Sequence, residues 1–274
     1  MQTQTEGRSS GHASWDNQLC IVGTMLRGLI LLAWIACMAF PAHATDEKFL
    51  QTYPLAAGGS FALENVNGSV QVEGWSRDEV EVSAVKTARS DSRDLEQVKI
   101  EVDHSHPGQV AVHTRYPQGE GAEVAVEYHV RVPYKILLGS IETVNGSVTV
   151  RGVEGGGELR SVNGNVEVFD SSGRFSEKTT NGNLRLELHE LMAGGPMNLE
   201  TVNGSVVLGL PEGARADLKV LAMNGDFYSE LPVTSAASKP AARAFHAKLG
   251  TGGGEISVRT INGGIRLVVQ RPGV

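Results

Sequence analysis

The chain has 274 residues, with 24 Lys and Arg against 31 Asp and Glu, a net charge of −7 and only 5% aromatic residues. A surface of that sign does not recruit nucleic acid or anionic lipid, and 33 glycines suit short strands joined by tight turns. Both cysteines, Cys20 and Cys37, fall within the first 44 residues, so the rest of the chain can form no disulfide, thiolate metal site or cysteine nucleophile.

Residues 1–44 read as a leader. Residues 1–24 are polar and unsuited to export, which makes Met25 rather than Met1 the expected start. Met25-Leu26-Arg27 then opens a signal peptide over 25–44, Gly28 to Phe40 is its apolar run, and Ala42-His43-Ala44 is a small-x-small cleavage signal before Thr45. The run is short for a membrane span, so no stable span is expected once the leader is cleaved. Trp34-Ile35-Ala36-Cys37 is a poor lipoprotein box, because Trp stands where Leu or Val belongs, and Cys37 reads as an ordinary apolar-region cysteine. The expected location is the periplasm or the cell surface. Without the leader the balance is 22 basic against 29 acidic residues, still −7.

Residues 45–135 read as an N-terminal β segment that packs on or caps the repeats of the C-terminal half. The first Asn-Gly copy lies here, and Glu79 to Lys86 alternates as a strand. Ala88 to Gln97 is polar, a loop or a short helix capped by Ser90 or Asp91. Val98 to Val102 and Val110 to Thr114 read as strands around a Pro107-Gly108 turn, and Val124 to Val132 is the next strand, ended by Pro133.

Residues 136–274 are dominated by a repeat. Seven times the chain writes Asn-Gly in one short frame, at Asn67-Gly68, Asn145-Gly146, Asn163-Gly164, Asn181-Gly182, Asn203-Gly204, Asn224-Gly225 and Asn262-Gly263. Asn and Gly tolerate positive φ, so the pair reads as a sharp structural turn between extended segments. Four residues before each Asn stand Leu63, Ile141, Leu159, Glu177, Leu199, Val220 and Val258, while pairs such as Val148/Val150 and Leu184/Leu186 follow at alternate positions. One face is buried and the other wet. Two residues before each Asn are the small Asn65, Thr143, Ser161, Thr179, Thr201, Ala222 and Thr260, which leave room for bulkier side chains across the core.

The central asparagines step by 18, 18, 22 and 21 residues, and the last step of 38 is near twice 19, as if one copy had decayed between Asn224 and Asn262. Two all-β architectures fit: a sandwich of independent Asn-Gly hairpins, or a β-solenoid, a β-helix-like stack in which each coil adds one turn and the corners align. Sandwich loops vary freely in length whereas stacked coils must match, so the near-constant spacing favours the solenoid. Glu230 to His246 is rich in Ala, Ser and Pro and reads as a protruding loop, followed by a glycine-rich turn at Gly250–Gly254 with no P-loop Lys.

No catalytic or cofactor-binding constellation stands out. Asn67, Asn145 and Asn203 each begin a glycosylation sequon, but the same Asn recurs at four copies without one, so the turn explains all seven. His104, His106, Asp103 and His113 offer metal-ligand chemistry, yet read more simply as a polar hairpin tip, and no metal site is assigned. Outward Glu142, Arg160, Lys178 and Glu200, with Glu167 and Arg185, read as mixed-sign charge ladders between coils rather than the paired carboxylates of a glycosidase.

The run FALENVNGSVQVEGWSRDEVEVSAVK, the segment ending YHVRVPYK, the coils ETVNGSVTVRGVEG and ETVNGSVVLGLPEGA, and the late GTGGGEISVRTINGGI together resemble the bacterial "putative adhesin" domain family, exported domains of unknown function. The resemblance spans Phe61 to Leu267, so residues 45–274 form one family domain, and it implies a right-handed β-helix-like fold with no catalytic motif. The function expected is that of a non-enzymatic cell-envelope module presenting repeated polar strand faces to an envelope protein or glycan. The alternatives are a carbohydrate-active β-helix enzyme and an envelope-stress accessory protein.

Overall fold

The computed structural model describes residues 45–89, 92–117, 123–192, 194–235 and 243–270. The leader with Met25, Cys20, Cys37 and the cleavage signal lies outside them, as do Ser90 and Asp91. In chain order come β1 (Thr45–Pro54), β2 (Ser60–Glu64), β3 (Val70–Trp75), β4 (Glu79–Ala88), the single-turn helix α1 (Asp94–Gln97), β5 (Lys99–Asp103), β6 (Gln109–Arg115) and β7 (Val124–Pro133). The repeats supply β8 (Lys135–Asn145), β9 (Val148–Arg151), β10 (Glu154–Asn163), β11 (Val166–Asn181), β12 (Leu184–Leu191), β13 (Met197–Asn203) and β14 (Val206–Leu210). They close with β15 (Ala216–Asn224), β16 (Phe227–Ser229), β17 (Val233–Ser235), β18 (Ala244–Leu249), β19 (Gly254–Asn262) and β20 (Ile265–Val269). The chain is all-β, as expected.

The strands sort into two parallel series. One places β6, β2, β8, β10, β11, β13, β19 and β15 side by side, and all of these but β6 run into an asparagine. The other places β7, β3, β9, β11, β12, β14, β20 and β16 side by side, and all of these but β7 follow one. β11 is long enough to serve both, its first residues in one series and its last in the other. Alternation fills the space between with one side chain per coil: Leu63, Ile141, Leu159, Leu199 and Val258 from the first series, and Val70, Val148, Val166, Leu184, Val206 and Ile265 from the second, each 2% exposed or less. At about 25 cal/mol per Å² of apolar surface removed from water, these columns are the main source of stability.

Stack order departs from chain order at both ends. The coil of β2 and β3 is flanked outside by β6 and β7, from a later segment. At the far end β19 and β20 lie between the coil of β13 and β14 and that of β15 and β16. The step of 38 residues therefore marks no decayed copy: Asn262 stands between Asn203 and Asn224. The predicted loop before it is in part a cap, since β17 and β18 pair antiparallel with each other and β18 with β15. Antiparallel β5, β4 and β1 cover the opposite end, where buried Lys86 ties Glu47 (2.9 Å) to the Leu95 carbonyl (3.3 Å). Covering strand edges in this way blocks edge-to-edge aggregation.

The Asn-Gly pairs need glycine for a reason different from the one expected. None of the seven asparagines has positive φ, and among their glycines only Gly68 and Gly263 do (119° and 156°). What excludes a side chain is the next coil. A Cβ on Gly146, Gly164, Gly182, Gly204, Gly263 or Gly225 would fall on the carbonyl oxygen of the neighbouring coil's glycine. Gly164→Val is therefore expected to destabilise by roughly 3 kcal/mol or more, lowering the melting temperature by about 6–12 °C at 2–4 °C per kcal/mol. Gly213→Val, with nothing within 4 Å of its Cβ position, is the control. Equal melting temperatures for the two variants would refute the stacking account.

Candidate functional site

The asparagines of the Asn-Gly pairs build one ridge. Each asparagine amide nitrogen donates to the side-chain oxygen of its neighbour: Asn145 to Asn67, Asn163 to Asn145, Asn181 to Asn163, Asn203 to Asn181, Asn262 to Asn203 and Asn224 to Asn262, all at 2.8–2.9 Å. Seven exposed or half-exposed amides thus form a continuous hydrogen-bonded row about 4.8 Å apart, the strand spacing. The small residues beneath do more than save space. Thr143, Ser161, Thr179, Thr201 and Thr260 are buried, and each hydroxyl donates at 2.8–3.0 Å to the glycine carbonyl of the adjoining coil. At the first coil Asn65 does the same through its amide, reaching Gly68, Asn67 and Val126 carbonyls. One residue before the asparagines runs a stripe that is apolar except at Thr180, and in it Val144, Val162 and Met223 are 38–42% exposed.

Beside the ridge lie the outward rows. In the first series Glu142 meets Arg160 (3.5 Å), Lys178 meets Glu200 (3.3 Å), and His113 meets Glu64 (2.9 Å). In the second, Arg185 turns to Glu187 (2.6 Å) on its own strand rather than to Glu167. Arg151 and Arg185 both lie over the Phe169 ring, and Arg77 and Arg131 over Trp75, contacts worth about 0.5–1 kcal/mol where exposed. The suspected metal cluster does not assemble. Asp103 accepts from Ser105, His106 faces the Ser105 hydroxyl, His104 stacks obliquely on Tyr53, and His113 is held by Glu64.

Two groups escaped the sequence reading. Glu177 occupies a core position between Leu159 and Leu199 in register, is 1% exposed, and neither carboxyl oxygen has a hydrogen-bond partner. Burial holds its carboxyl well above the ordinary value, and the charge of Glu167 adds to the effect. A substrate in solvent has no access to it. The signal was present, because Glu177 is the one charged residue in a column of Leu, Ile and Val. Arg174 donates to the carbonyls of Met192 (3.1 Å) and Glu255 (3.0 Å), fastening β11 to the entry of β19. Nothing in the repeat pattern marks it.

Residues 54–268 match the family model described as Toastrack DUF4097. No curated protein matches at a significant level. Similar solved structures include a putative cell adhesion protein from Clostridium sporogenes, at 11% identity over 82% of this chain and 100% of the other, with a TM-score of 0.42. A putative adhesin from Bacteroides fragilis is 11% identical over 81% and 97% of the two chains, with a TM-score of 0.40. Another from Parabacteroides distasonis is 14% identical over 81% and 97%, with a TM-score of 0.28.

Glu177 makes a signed prediction. Its raised affinity means that the folded chain keeps a proton which the unfolded chain releases near the ordinary value of 4.5. The group therefore costs least below that pH, and the cost grows as pH rises towards the folded value. Glu177→Leu is expected to melt higher than the parent protein, with a gap that widens as pH rises above about 4.5. A gap independent of pH would show that Glu177 is not protonated in the fold.

Proposed function

We propose that this chain, which belongs to the Toastrack DUF4097 family, is an exported, non-enzymatic module of the cell envelope that binds a protein or glycan along its stacked corners. We read the stack as a right-handed β-solenoid cornered by Asn-Gly turns, the hand that parallel crossovers take. Residues 45–135 supply its first coils and one cap, and residues 136–274 supply the rest. The observation that carries the reading is the registered row of amides from Asn67 to Asn224, flanked by exposed Val144, Val162 and Met223. A surface that repeats one polar contact per coil, with an apolar neighbour in every coil but that of Thr180, offers many weak equivalent sites to an extended partner. Affinity then accumulates with the number of coils engaged. Two features weigh against catalysis: outward carboxylates such as Glu142 and Glu200 face cations, and the perturbed carboxyl of Glu177 is sealed in the core.

Probing the folded protein against a glycan array and solubilised envelope fractions tests this reading. Val162→Asp alone is expected to weaken capture modestly. Val144→Asp, Val162→Asp and Met223→Asp together are expected to weaken it by about tenfold or more, as loss of multivalency requires. Melting temperatures should stay within a few degrees. Absence of any captured partner, or capture indifferent to the triple substitution, would remove the ridge as the binding surface.

A further inference from the structure

A second feature of the surface is a cleft of about 480 Å³ between the end of β12, the Pro211–Arg215 turn and the glycine-rich turn before β19. Arg174 and Arg215 line it, together with His189, Glu190, Gly252 and Gly253. Arg174 differs from the ion-paired arginines of the outward rows. Outward arginines such as Arg131, Arg151, Arg160 and Arg185 each meet a carboxylate. Among the described residues Arg174 instead holds the two carbonyls of Met192 and Glu255, and its Nε is buried with no acceptor. Burial lowers its hold on the proton, and no carboxylate offsets that. Gly254 belongs to the same arrangement, since a Cβ there would stand 2.8 Å from Nη1 of Arg174.

Three of the nearby carboxylates are engaged elsewhere. Asp170 is held by Arg151 (2.8 Å) and His189 (3.6 Å), and Glu255 by Lys219 (2.6 Å). Asp217 accepts from the Gly253 amide and lies 3.8 Å from Lys248. Glu190 lines the cleft as an exposed side chain. Arg215 has no ion pair among the described residues. Arg174 is half-buried, and each Nη carries a second hydrogen beyond the one it gives to a carbonyl, so a carboxylate in the cleft can accept from the guanidinium without displacing either bond.

We propose that this cleft binds a small organic oxyanion of about one sugar residue, its carboxylate set against Arg174 and Arg215 and its hydroxyls against Glu190 and His189. The volume lies within the range of about 300–1,000 Å³ typical of small-molecule sites, and the ligand class is an acidic sugar such as a uronate. This site is distinct from the ridge and does not depend on it.

Titration calorimetry of the folded protein with glucuronate, glucose and inorganic phosphate at matched ionic strength tests the assignment. Glucuronate should bind saturably, glucose should not, and phosphate should bind more weakly than glucuronate. Arg215→Ala should reduce glucuronate affinity by about tenfold, the worth of one charge-assisted hydrogen bond, while melting like the parent protein. Should Arg215→Ala fail to fold, Arg215→Gln serves in its place. Val162→Asp, which alters the ridge, should leave glucuronate binding intact and so separates failure of this site from failure of the ridge. No glucuronate binding, equal binding of glucose, or binding unaffected at Arg215 would overturn the proposal. Phosphate binding as tightly as glucuronate would overturn its sugar-sized part.

Discussion

The space where a side chain would stand on one corner glycine is filled by the carbonyl oxygen of the corner glycine before it, from Gly68 through Gly146, Gly164, Gly182, Gly204 and Gly263 to Gly225. Close approach at this point brings the coils into hydrogen-bonding distance along both strand series, and it leaves a half-buried glycine carbonyl in need of a donor from inside. The hydroxyls of Thr143, Ser161, Thr179, Thr201 and Thr260 answer that need. Leaving a buried acceptor without a donor costs about 1–3 kcal/mol. Glycine, hydroxyl and asparagine thus form one unit: the first permits contact, the second satisfies it from inside, and the third binds it from outside.

Much of this is legible in the chain. Alternating Val and Leu beside each Asn-Gly marks the buried and wet faces, and near-equal spacing implies alignment of like positions. The reason for the glycine is not legible, because Asn-Gly is a familiar turn pair and its positive-φ explanation needs no second coil. Steric exclusion by a neighbour is invisible until the neighbour is placed. Volume alone accounts for small residues at Thr143 and its equivalents, although a run of hydroxyls rather than alanines already hints at a donor role.

Stack order is the least legible feature. Repeats that share one hydrogen-bonding pattern can neighbour one another in any order, so nothing in the motif at Asn262 says that it belongs beside Asn203. Arg174 is hidden for a related cause: its partners, Met192 and Glu255, are main-chain carbonyls, which carry no residue-type signature. Glu177 is the opposite case, a plain exception in an apolar column whose meaning depends on the absence of any partner inside.

The displaced last coil also bears on how the chain assembles. Residues 216–229 leave the ribosome before residues 254–269, yet their resting place lies beyond them. The coil of Asn203 and that of Asn224 share no pairing of their own; each is paired to the strands around Asn262. The last coil in space is therefore joined to the rest only through strands that come after it in the chain, a dependence on the C-terminal segment that a strictly sequential stack would lack.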